Sequence, residues 1–398
     1  MFEIRVKRRY NGIKRKFFVA TLAIGIMSTS VSILAFAQNN NEVVLSAEVA
    51  MMDSNIDEAK QSIAAYIQED MQKYDTGASA TTALDFSDSV INPEMSSFKE
   101  YVEQKKILNQ NRQSAFGFVV EKKNVEITYE DISYENGVYT IDYVVDETLQ
   151  FAHLDSPTYV STKHTTIVEP TEDGFMINDD TSDDPVDLYV RDQVSMEEYI
   201  AADQKEIQKE LQAEQKVLSE TEQVSLENVS TCATTSSFNR TAMYNYAYNN
   251  YNKRPSQWGN FDALGGDCTN FVSQIIYAGG APFDTTGNYT WYYKGMSNRA
   301  PAWTSVTSLH KYLVNNDYIG PQGKVDSSNA AYIAMIGDVI QIDFGNDGTY
   351  DHSTSIVHHQ TSITSQTTIA AHSSNRWNYP INSFSGTKRW IHLTGYME

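Results

Sequence analysis

The chain has 398 residues, of which 41% are hydrophobic and 20% are charged. This composition is too apolar for a wholly disordered chain, and the length suffices for two globular domains. The formal net charge is −21, from 51 acidic and 30 basic side chains. Such an acidic excess argues against a nucleic-acid partner, because phosphate binding needs clustered Lys and Arg.

The acidic excess is confined to one part of the chain. Residues 1–37 carry seven basic and one acidic side chains, and residues 236–398 carry ten of each. The net charge of residues 38–235 is therefore −27. This asymmetry predicts that the two halves of the protein do different jobs.

The first residues have the pattern of an export signal. Basic side chains between Arg5 and Lys16 precede the apolar run from Phe17 to Ile26, and Ala35-Phe36-Ala37 offers a small-x-small cleavage site. We expect residues 1–37 to be a signal peptide of a secreted or cell-surface protein, with membrane contact through this segment alone. The length of the stretch leaves an uncleaved membrane anchor as the alternative.

Residues 38–187 are predicted to form an acidic α+β domain. Apolar residues recur at helical intervals from Leu45 to Lys73. Asn136-Gly137 predicts the two-residue turn of a β-hairpin. Four segments are predicted as antiparallel strands: Val125 to Tyr129, Tyr139 to Val145, Thr158 to Val168 and Gly174 to Asn178. His153 and His164 have no carboxylate cluster nearby in the sequence, so a binding or spacer role is expected rather than chemistry.

Residues 188–237 are predicted to connect this domain to the next one. A capping box, Ser195 with Glu198, opens a Glu-, Gln- and Lys-rich stretch with a thin apolar line from Ile200 to Leu218. We interpret it as a connecting helix, because three heptads at most are a short signal for a coiled-coil partner. A Ser/Thr-rich linker containing Cys232 follows, and the oligomeric state stays open.

The most informative residues of the third region, 238–398, surround Cys268. Two glycines and Asp267 precede it, and the residues at i+3, i+4, i+7 and i+8 are apolar, which predicts a helix that Gly279 ends. Unpaired backbone N–H groups at a helix start favour the thiolate, so Cys268 is predicted to be a nucleophile. A buried core cysteine and a disulfide with Cys232 are the alternatives.

A nucleophilic cysteine needs a base, and six of the eight histidines follow Cys268 in the chain. The segments Gly337 to Phe344 and His352 to His358 are predicted to be two strands joined by a tight turn. His352 begins the returning strand, where its side chain can lean over a helix start, so we expect it to be the base. His310, on a predicted helix, and His359 are expected to be surface or packing residues.

A third polar group is expected to hold the imidazole of His352. A short strand from Thr367 to Ala371 leads into His372-Ser373-Ser374-Asn375, which offers two candidates. We prefer His372, with Asn375 as the alternative.

Metal sites are disfavoured by the motifs. A zinc centre of His352, His358 and His372 would lack the H-E-x-x-H or paired cysteine pattern that such sites show. The aspartates between Asp343 and Asp351 depart from the EF-hand spacing, and a tight turn explains them. We therefore expect no metal and no cofactor.

The block from Gly266 to Gln274, continued by Ala278-Gly279-Gly280, resembles the putative amidase domain family of secreted bacterial proteins. Further landmarks are Arg240 to Ala247, Gly337-Asp338-Val339, Asp351-His352-Ser353 and Ala371-His372-Ser373. The resemblance covers about residues 238–398. It implies kinship with the CHAP and Nlp-type cell-wall hydrolases, which share the papain-like arrangement of a helix carrying Cys on an antiparallel sheet carrying His.

The resemblance also implies a reaction. It predicts amide-bond hydrolysis through a Cys268 thioester, with His352 as general base and then acid, and His372 as the orienting group. The expected protein is α+β in both domains and acts as an amidase or peptidase on peptide or peptidoglycan-type substrates. The alternative is a non-catalytic extracellular protein that uses the same fold to bind peptide or glycan. The acidic region lies outside the resemblance and could act as an inhibitory pro-segment.

Overall fold

The structure is a computed structural model that describes residues 4–8, 40–75, 90–172, 174–191, 193–221, 236–325, 334–359 and 366–398. It is of the α+β class, as predicted, with helices packed on a largely antiparallel sheet. Cys232 lies outside the described residues, as does the predicted signal peptide apart from residues 4–8. No helix in the described ranges is long and apolar enough to cross a membrane.

Helices account for much of the described chain: α1 (Asn40–Asp70), α2 (Ser96–Phe116), α3 (Pro185–Tyr189), α4 (Met196–Thr221), α5 (Arg240–Asn250), α6 (Cys268–Ala278), α7 (Pro301–Thr304) and α8 (Val306–Asn315). The strands are β1 (Ile4–Arg8), β2 (Val120–Glu135), β3 (Val138–Phe151), β4 (Thr158–Thr171), β5 (Gly174–Ser182), β6 (Gly320–Val325), β7 (Val339–Asp343), β8 (His352–His358), β9 (Thr368–Ala371), β10 (Asn375–Pro380) and β11 (Thr387–Met397).

One sheet runs through both predicted domains. Its strand order is β1-β2-β3-β4-β10-β9-β8-β7-β11-β6, and β5 also pairs with β4. The strand β4 is the junction, because Ser161, Val160 and Tyr159 pair with residues 375–377 of β10. The pairing of β1 with β2 is parallel, and the other described pairs are antiparallel. The acidic region and the C-terminal region thus share backbone hydrogen bonds.

The predicted hairpin is confirmed at its turn. Asn136 and Gly137 have φ values of 53° and 93°, and a type I′ turn needs positive φ at both central positions. Glu135 pairs with Val138, so the loop has two residues. The alternation along the strands buries Val125, Ile127 and Ile141 completely, while their neighbours face outward.

The sequence analysis missed a carboxylate partner for His164. The antiparallel register of β4 and β5 brings Asp180 to it, with Nδ1 of His164 2.9 Å from Oδ2 of Asp180. Burial opposes protonation of the ring, but Asp180 outweighs it and raises the pKa of His164. This pair belongs to a buried polar network beneath α1 and α2, so the expectation of a histidine without carboxylates is wrong for His164.

The C-terminal part of the sheet is covered on both faces. Successive side chains of a strand point to opposite faces, and Val339, Val357 and Ala370 join the core that contains α6. Their neighbours in the strands, among them Ile340, Ile342 and Ile369, pack instead against residues of α3 and α4. The acidic region therefore lies on the sheet face opposite α6.

The connecting helix α4 is held by a buried ion pair. The predicted cap is present at its start, where the amide of Glu198 donates to Oγ of Ser195 at 3.4 Å. Nη2 of Arg112, from α2, lies 2.6 Å from Oδ1 of Asp203, and both side chains are 1% exposed. Nη1 of Arg112 also donates to the carbonyl of Asn382, at 3.0 Å. The helix thus packs within its own chain against α2 and the C-terminal region.

Candidate functional site

The two glycines before Cys268 shape the start of α6. Gly265 and Gly266 have φ values of 98° and 106°, which other residues rarely adopt. A Cβ on Gly266 would also lie 3.1 Å from Oγ of Ser373. The amide of Asp267 donates to that same oxygen at 3.0 Å. The close approach of the Gly-Gly turn to Ser373 therefore fixes where Cys268 lies.

The rest of α6 anchors this position in the core. The apolar side chains at Phe271, Val272, Ile275 and Ile276 are completely buried, as the helical spacing predicted. Burial of each such side chain is worth about 1.5–3 kcal/mol. Below the helix start, Oδ1 of Asp267 accepts hydrogen bonds from the amide of Phe261 and from Nδ2 of Asn270, each at 2.9 Å.

The thiol of Cys268 lies against the strand that His352 begins. Sγ lies 3.8 Å from Oγ1 of Thr269, and that hydroxyl donates to Oγ of Ser353, the residue after His352, at 3.1 Å. Burial raises the pKa of the Cys268 thiol, and the polar groups of Ser353 and Thr269 act in the opposite direction without cancelling it. The expectation of a lowered pKa is therefore wrong for this arrangement, because the side chain is only 5% exposed.

His352 is the first residue of β8 and pairs with Ile342 of β7. Its ring is 2% exposed and lies beside a pair of phenylalanines, with centroids 6.0 Å from Phe344 and 6.3 Å from Phe384. Burial, with a contribution from the positive charge of Arg376, lowers the pKa of His352 to about 3. The ring is therefore neutral at pH 7, the protonation state that a general base needs.

His372 is buried beside the cysteine but has other partners than His352. Its Nδ1 lies 2.6 Å from Oδ2 of Asp267, and its Nε2 lies 2.8 Å from the carbonyl oxygen of Asn250. Its ring stacks on Phe271 with centroids 3.7 Å apart. Both ring nitrogens are thus engaged, so His372 does not orient His352 here.

Burial and hydrogen-bond partners together decide the protonation of His372. Burial lowers the pKa of His372, although Asp267 opposes the shift. The carbonyl oxygen of Asn250 can only accept a hydrogen bond, so Nε2 of His372 is the nitrogen that donates to it. The pair ties the residue before Cys268 to the end of β9.

The other candidate for the orienting role, Asn375, is also engaged elsewhere. Its Oδ1 accepts a hydrogen bond of 2.9 Å from Nη2 of Arg254. The same guanidinium contacts Asp262, and its Nε lies 3.4 Å from Oδ2 of Asp267. None of the described hydrogen bonds joins His352 to Cys268, His372 or Asn375. The structure thus brings the predicted residues into one region but pairs them differently.

Three site residues were not predicted. Asp267 directly precedes Cys268, and its position inside the cysteine block was the available signal. Tyr189 of α3 stacks on Phe344, with centroids 5.8 Å apart and ring planes within 5°, and burial and then Cys268 raise the pKa of its hydroxyl. Arg376 of β10 lies beside His352. No local pattern pointed to Tyr189 or Arg376, because one comes from the acidic region and the other from an unpredicted strand.

The remaining histidines and the aspartate turn behave as ordinary structural groups. His358 is exposed at the far end of β8, and Nδ1 of His359 lies 2.8 Å from Oγ1 of Thr367. Asp343 accepts hydrogen bonds from the amides of Asp347 and Gly348, which accounts for the turn. Within the described ranges, no group of three or more potential ligands is placed to hold a metal ion.

Comparison with known proteins yields matches to the C-terminal region. The sequence model of the putative amidase domain family matches residues 237–394. The uncharacterized protein YhbB of Bacillus subtilis (strain 168) is 35% identical over 122 residues, which are 30% of this chain and 37% of YhbB. The uncharacterized protein YjcM of the same organism is 30% identical over 135 residues, 31% of this chain and 29% of YjcM.

The similarity is partial on both sides. The chain spans about a third of the length of these relatives, and no solved structure matches it. Cys268, His352 and His372 all lie within the matched residues. The match to the putative amidase domain supports the amidase family, and with it amide hydrolase activity, for residues 237–394.

Proposed function

We propose that this protein is a secreted, cysteine-dependent amide hydrolase, with Cys268 as nucleophile and His352 as general base and acid. The observation that carries the proposal is the position of Sγ. It lies at the start of α6, 3.8 Å from the Thr269 hydroxyl, which donates to Oγ of Ser353, the residue that follows His352. The start of the helix that carries the thiol therefore contacts the strand that begins with the imidazole, and both lie inside the amidase match.

The arrangement we propose is papain-like. The helix that begins with Cys268 packs against β8, the strand that begins with His352. In such an arrangement, a neutral imidazole accepts the thiol proton when the nucleophile attacks. The low pKa of His352 favours the neutral ring before reaction, and the raised pKa of Cys268 keeps the thiol protonated while the site is closed.

The reaction follows in two steps. Sγ attacks the amide carbonyl as His352 takes its proton, and the C–N bond then breaks as His352 gives that proton to the leaving amine. Water next attacks the thioester, losing a proton to His352, and the thiolate leaves and recovers that proton. We propose that the backbone N–H of Cys268 stabilises the oxyanion, as donors at a helix start do. The net change is amide plus water to carboxylic acid plus amine.

His372 acts, in our proposal, as a positioning residue. Its hydrogen bond to Asp267 holds the residue before the nucleophile, and its stacking on Phe271 holds the first turn of α6.

We propose a peptide or peptidoglycan-type substrate outside the cell. Export through residues 1–37 is part of the proposal, and N-terminal sequencing of protein recovered from the medium tests it: a start at Met1 contradicts cleavage.

Alkylation of Cys268 by iodoacetamide tests the mechanism. Because the thiol is buried and protonated in the closed site, labelling goes through molecules in which the site has opened, and we expect it to be measurable below pH 8 in the reduced full chain, counted by mass spectrometry of the Cys268 peptide so that Cys232 is scored separately. The substitution His352→Ala should slow it at least tenfold. The matched control His358→Ala removes an exposed histidine from the other end of β8 and should leave the rate unchanged.

The opposite result supports a different class of function. Slow labelling of Cys268 with the pH profile of a free cysteine, equal in the two histidine variants, contradicts the hydrolase. The burial of both Cys268 and His352 would then indicate a binding module of the same fold. Such a module should keep its peptide or glycan affinity in Cys268→Ala.

A further inference from the structure

Arg376 brings a buried positive charge to the candidate site. Its side chain, on β10, is 3% exposed. The guanidinium carbon lies 5.2 Å from the ring centroid of Tyr379 and 5.9 Å from that of Phe384. Phe384 also contacts the ring of His352, with centroids 6.3 Å apart. The guanidinium and the ring of the proposed base therefore share one aromatic neighbour, Phe384.

The hydrogen bonds of this guanidinium are incomplete. Nη2 of Arg376 donates to Oδ2 of Asp184 at 3.1 Å, and Nη1 makes a long contact of 3.4 Å to the carbonyl of Asn375. Nε is buried and has no hydrogen-bond partner among the described residues. Arginine characteristically binds a carboxylate through two parallel N–H groups. Asp184 uses one of them and leaves the Nε position unfilled.

Asp184 comes from the acidic region and caps α3. Its Oδ1 accepts the amide of Val186 at 3.0 Å, and Nζ of Lys105 lies 3.6 Å away. The helix ends five residues later at Tyr189, which stacks on Phe344, and Phe344 in turn lies 6.0 Å from the ring of His352, centroid to centroid. The short helix therefore contacts the site at both ends, and Cys268 and His352 are buried.

We propose that Arg376 is the anchor for a free carboxylate of the substrate, bound through Nε and Nη2, and that Asp184 occupies this anchor until substrate displaces α3. The inference rests on the proposed function and narrows its substrate class. The substrate is a peptide amide with a carboxylate close to the scissile bond. The Asp184 carboxylate, which accepts only one hydrogen bond from Arg376, stands in for that group, and a substrate that fills both N–H positions replaces it.

Two alkylating reagents of nearly equal size test the anchor. Iodoacetate carries a carboxylate where iodoacetamide carries a neutral amide, so the ratio of their rates at Cys268 reports a cation near the thiol. We would measure this ratio at pH 8 in the reduced full chain, where a histidine with an ordinary pKa near 6.5 is neutral. The ratio at Cys232 in the same sample corrects for the reagents themselves.

Four variants make the test specific. In Asp184→Asn, which keeps the helix cap, the iodoacetate preference at Cys268 should rise about 3- to 10-fold, because Arg376 is freed. Adding Arg376→Gln should abolish the rise, and adding Arg376→Lys should keep part of it, since a lysine retains the charge without the fork. Arg299→Gln removes a charge of the same sign that contacts Thr304 and Met296 instead, and it should change nothing.

The outcomes separate the anchor from the proposed hydrolase. If Cys268 reacts rapidly but its ratio is the same in all variants, the anchor is wrong and the proposed function stands. A ratio that rises in Asp184→Asn and stays high after Arg376→Gln also overturns the anchor. If Cys268 resists both reagents in the wild type and in Asp184→Asn, the proposed function fails, and the anchor fails with it.

Discussion

The acidic region and the C-terminal region both bury polar groups, but they complete the hydrogen bonding differently. In the acidic region, buried charges meet opposite charges: His164 with Asp180, Lys105 with Asp187, and Lys73 with Glu147 at 3.0 Å. Each of these groups thus has a partner of opposite charge, and such pairing stabilises one arrangement of the chain.

The C-terminal site lacks this compensation. Cys268 and His352 are buried as neutral groups, and Nε of Arg376 has no partner among the described residues. Unpaired or strongly shifted buried groups concentrate where proteins bind and react. The contrast agrees with our proposal that the C-terminal region carries the chemistry.

The largest expected effect comes from the buried ion pair between Arg112 of α2 and Asp203 of α4. Asp203→Ala leaves the guanidinium of Arg112 buried with weaker partners, and loss of one member of a buried pair destabilises by about 3–5 kcal/mol. We expect this loss in the free energy of unfolding from urea titrations. Lys209→Ala, which removes an exposed pair with Glu206, should cost about 0–1 kcal/mol. Equal, small effects would show that α4 is not coupled to α2.

The pH dependence of the free energy of unfolding tests the burial of His352. The unfolded chain protonates this histidine near pH 6.5, whereas the folded chain does so at a pKa of about 3. Between these values the unfolded state binds the extra proton, so stability falls as pH falls, by up to about 1.4 kcal/mol per pH unit. The contribution is complete above pH 6.5 and is lost toward pH 3.

We therefore expect His352→Gln to flatten the pH dependence of unfolding by roughly 2–3 kcal/mol between pH 6.5 and pH 4. Urea titrations at matched pH values measure the difference. His358→Gln is the control from the exposed end of β8 and should leave the wild-type slope. An unchanged slope in His352→Gln would contradict a buried neutral ring.

A smaller effect is expected from the turn before the nucleophile. Gly266→Ala places a Cβ at a φ of 106° and 3.1 Å from Oγ of Ser373. Strain of this kind costs about 1–3 kcal/mol. Because the strain moves the start of α6, iodoacetamide labelling of Cys268 should also slow. A variant with wild-type labelling would show that the turn does not position the thiol.

The smallest effect is expected from the turn between β2 and β3, in the acidic region. Gly137→Ala also forces alanine into a positive φ, of 93°, but no atom lies within 4 Å of its Cβ. We expect a cost of about 1 kcal/mol from the backbone alone and no change in Cys268 labelling. A change in labelling would mean that the β2–β3 hairpin reaches the site through the shared sheet.

The sequence by itself determined the features that local signals control. Asn136-Gly137 specified a two-residue turn because both positions need positive φ. The apolar spacing after Cys268 specified a helix that starts there, and the two runs around Gly345 specified strands of which the second begins at His352. The prediction that Cys268 and His352 act as a pair followed from these elements, and so did the predicted α+β class.

Tertiary structure alone decided the partners and the charges. His372 meets Asp267 from 105 positions away, and Arg376 meets Asp184 from 192 positions away. The raised pKa of Cys268 likewise depends on which surfaces cover it, since the helix start by itself favours the thiolate. Burial and long-range pairing are properties of the packed chain, and no local pattern encodes them. That is the physical reason why the sequence could predict candidate site residues but not their burial or their hydrogen-bond partners.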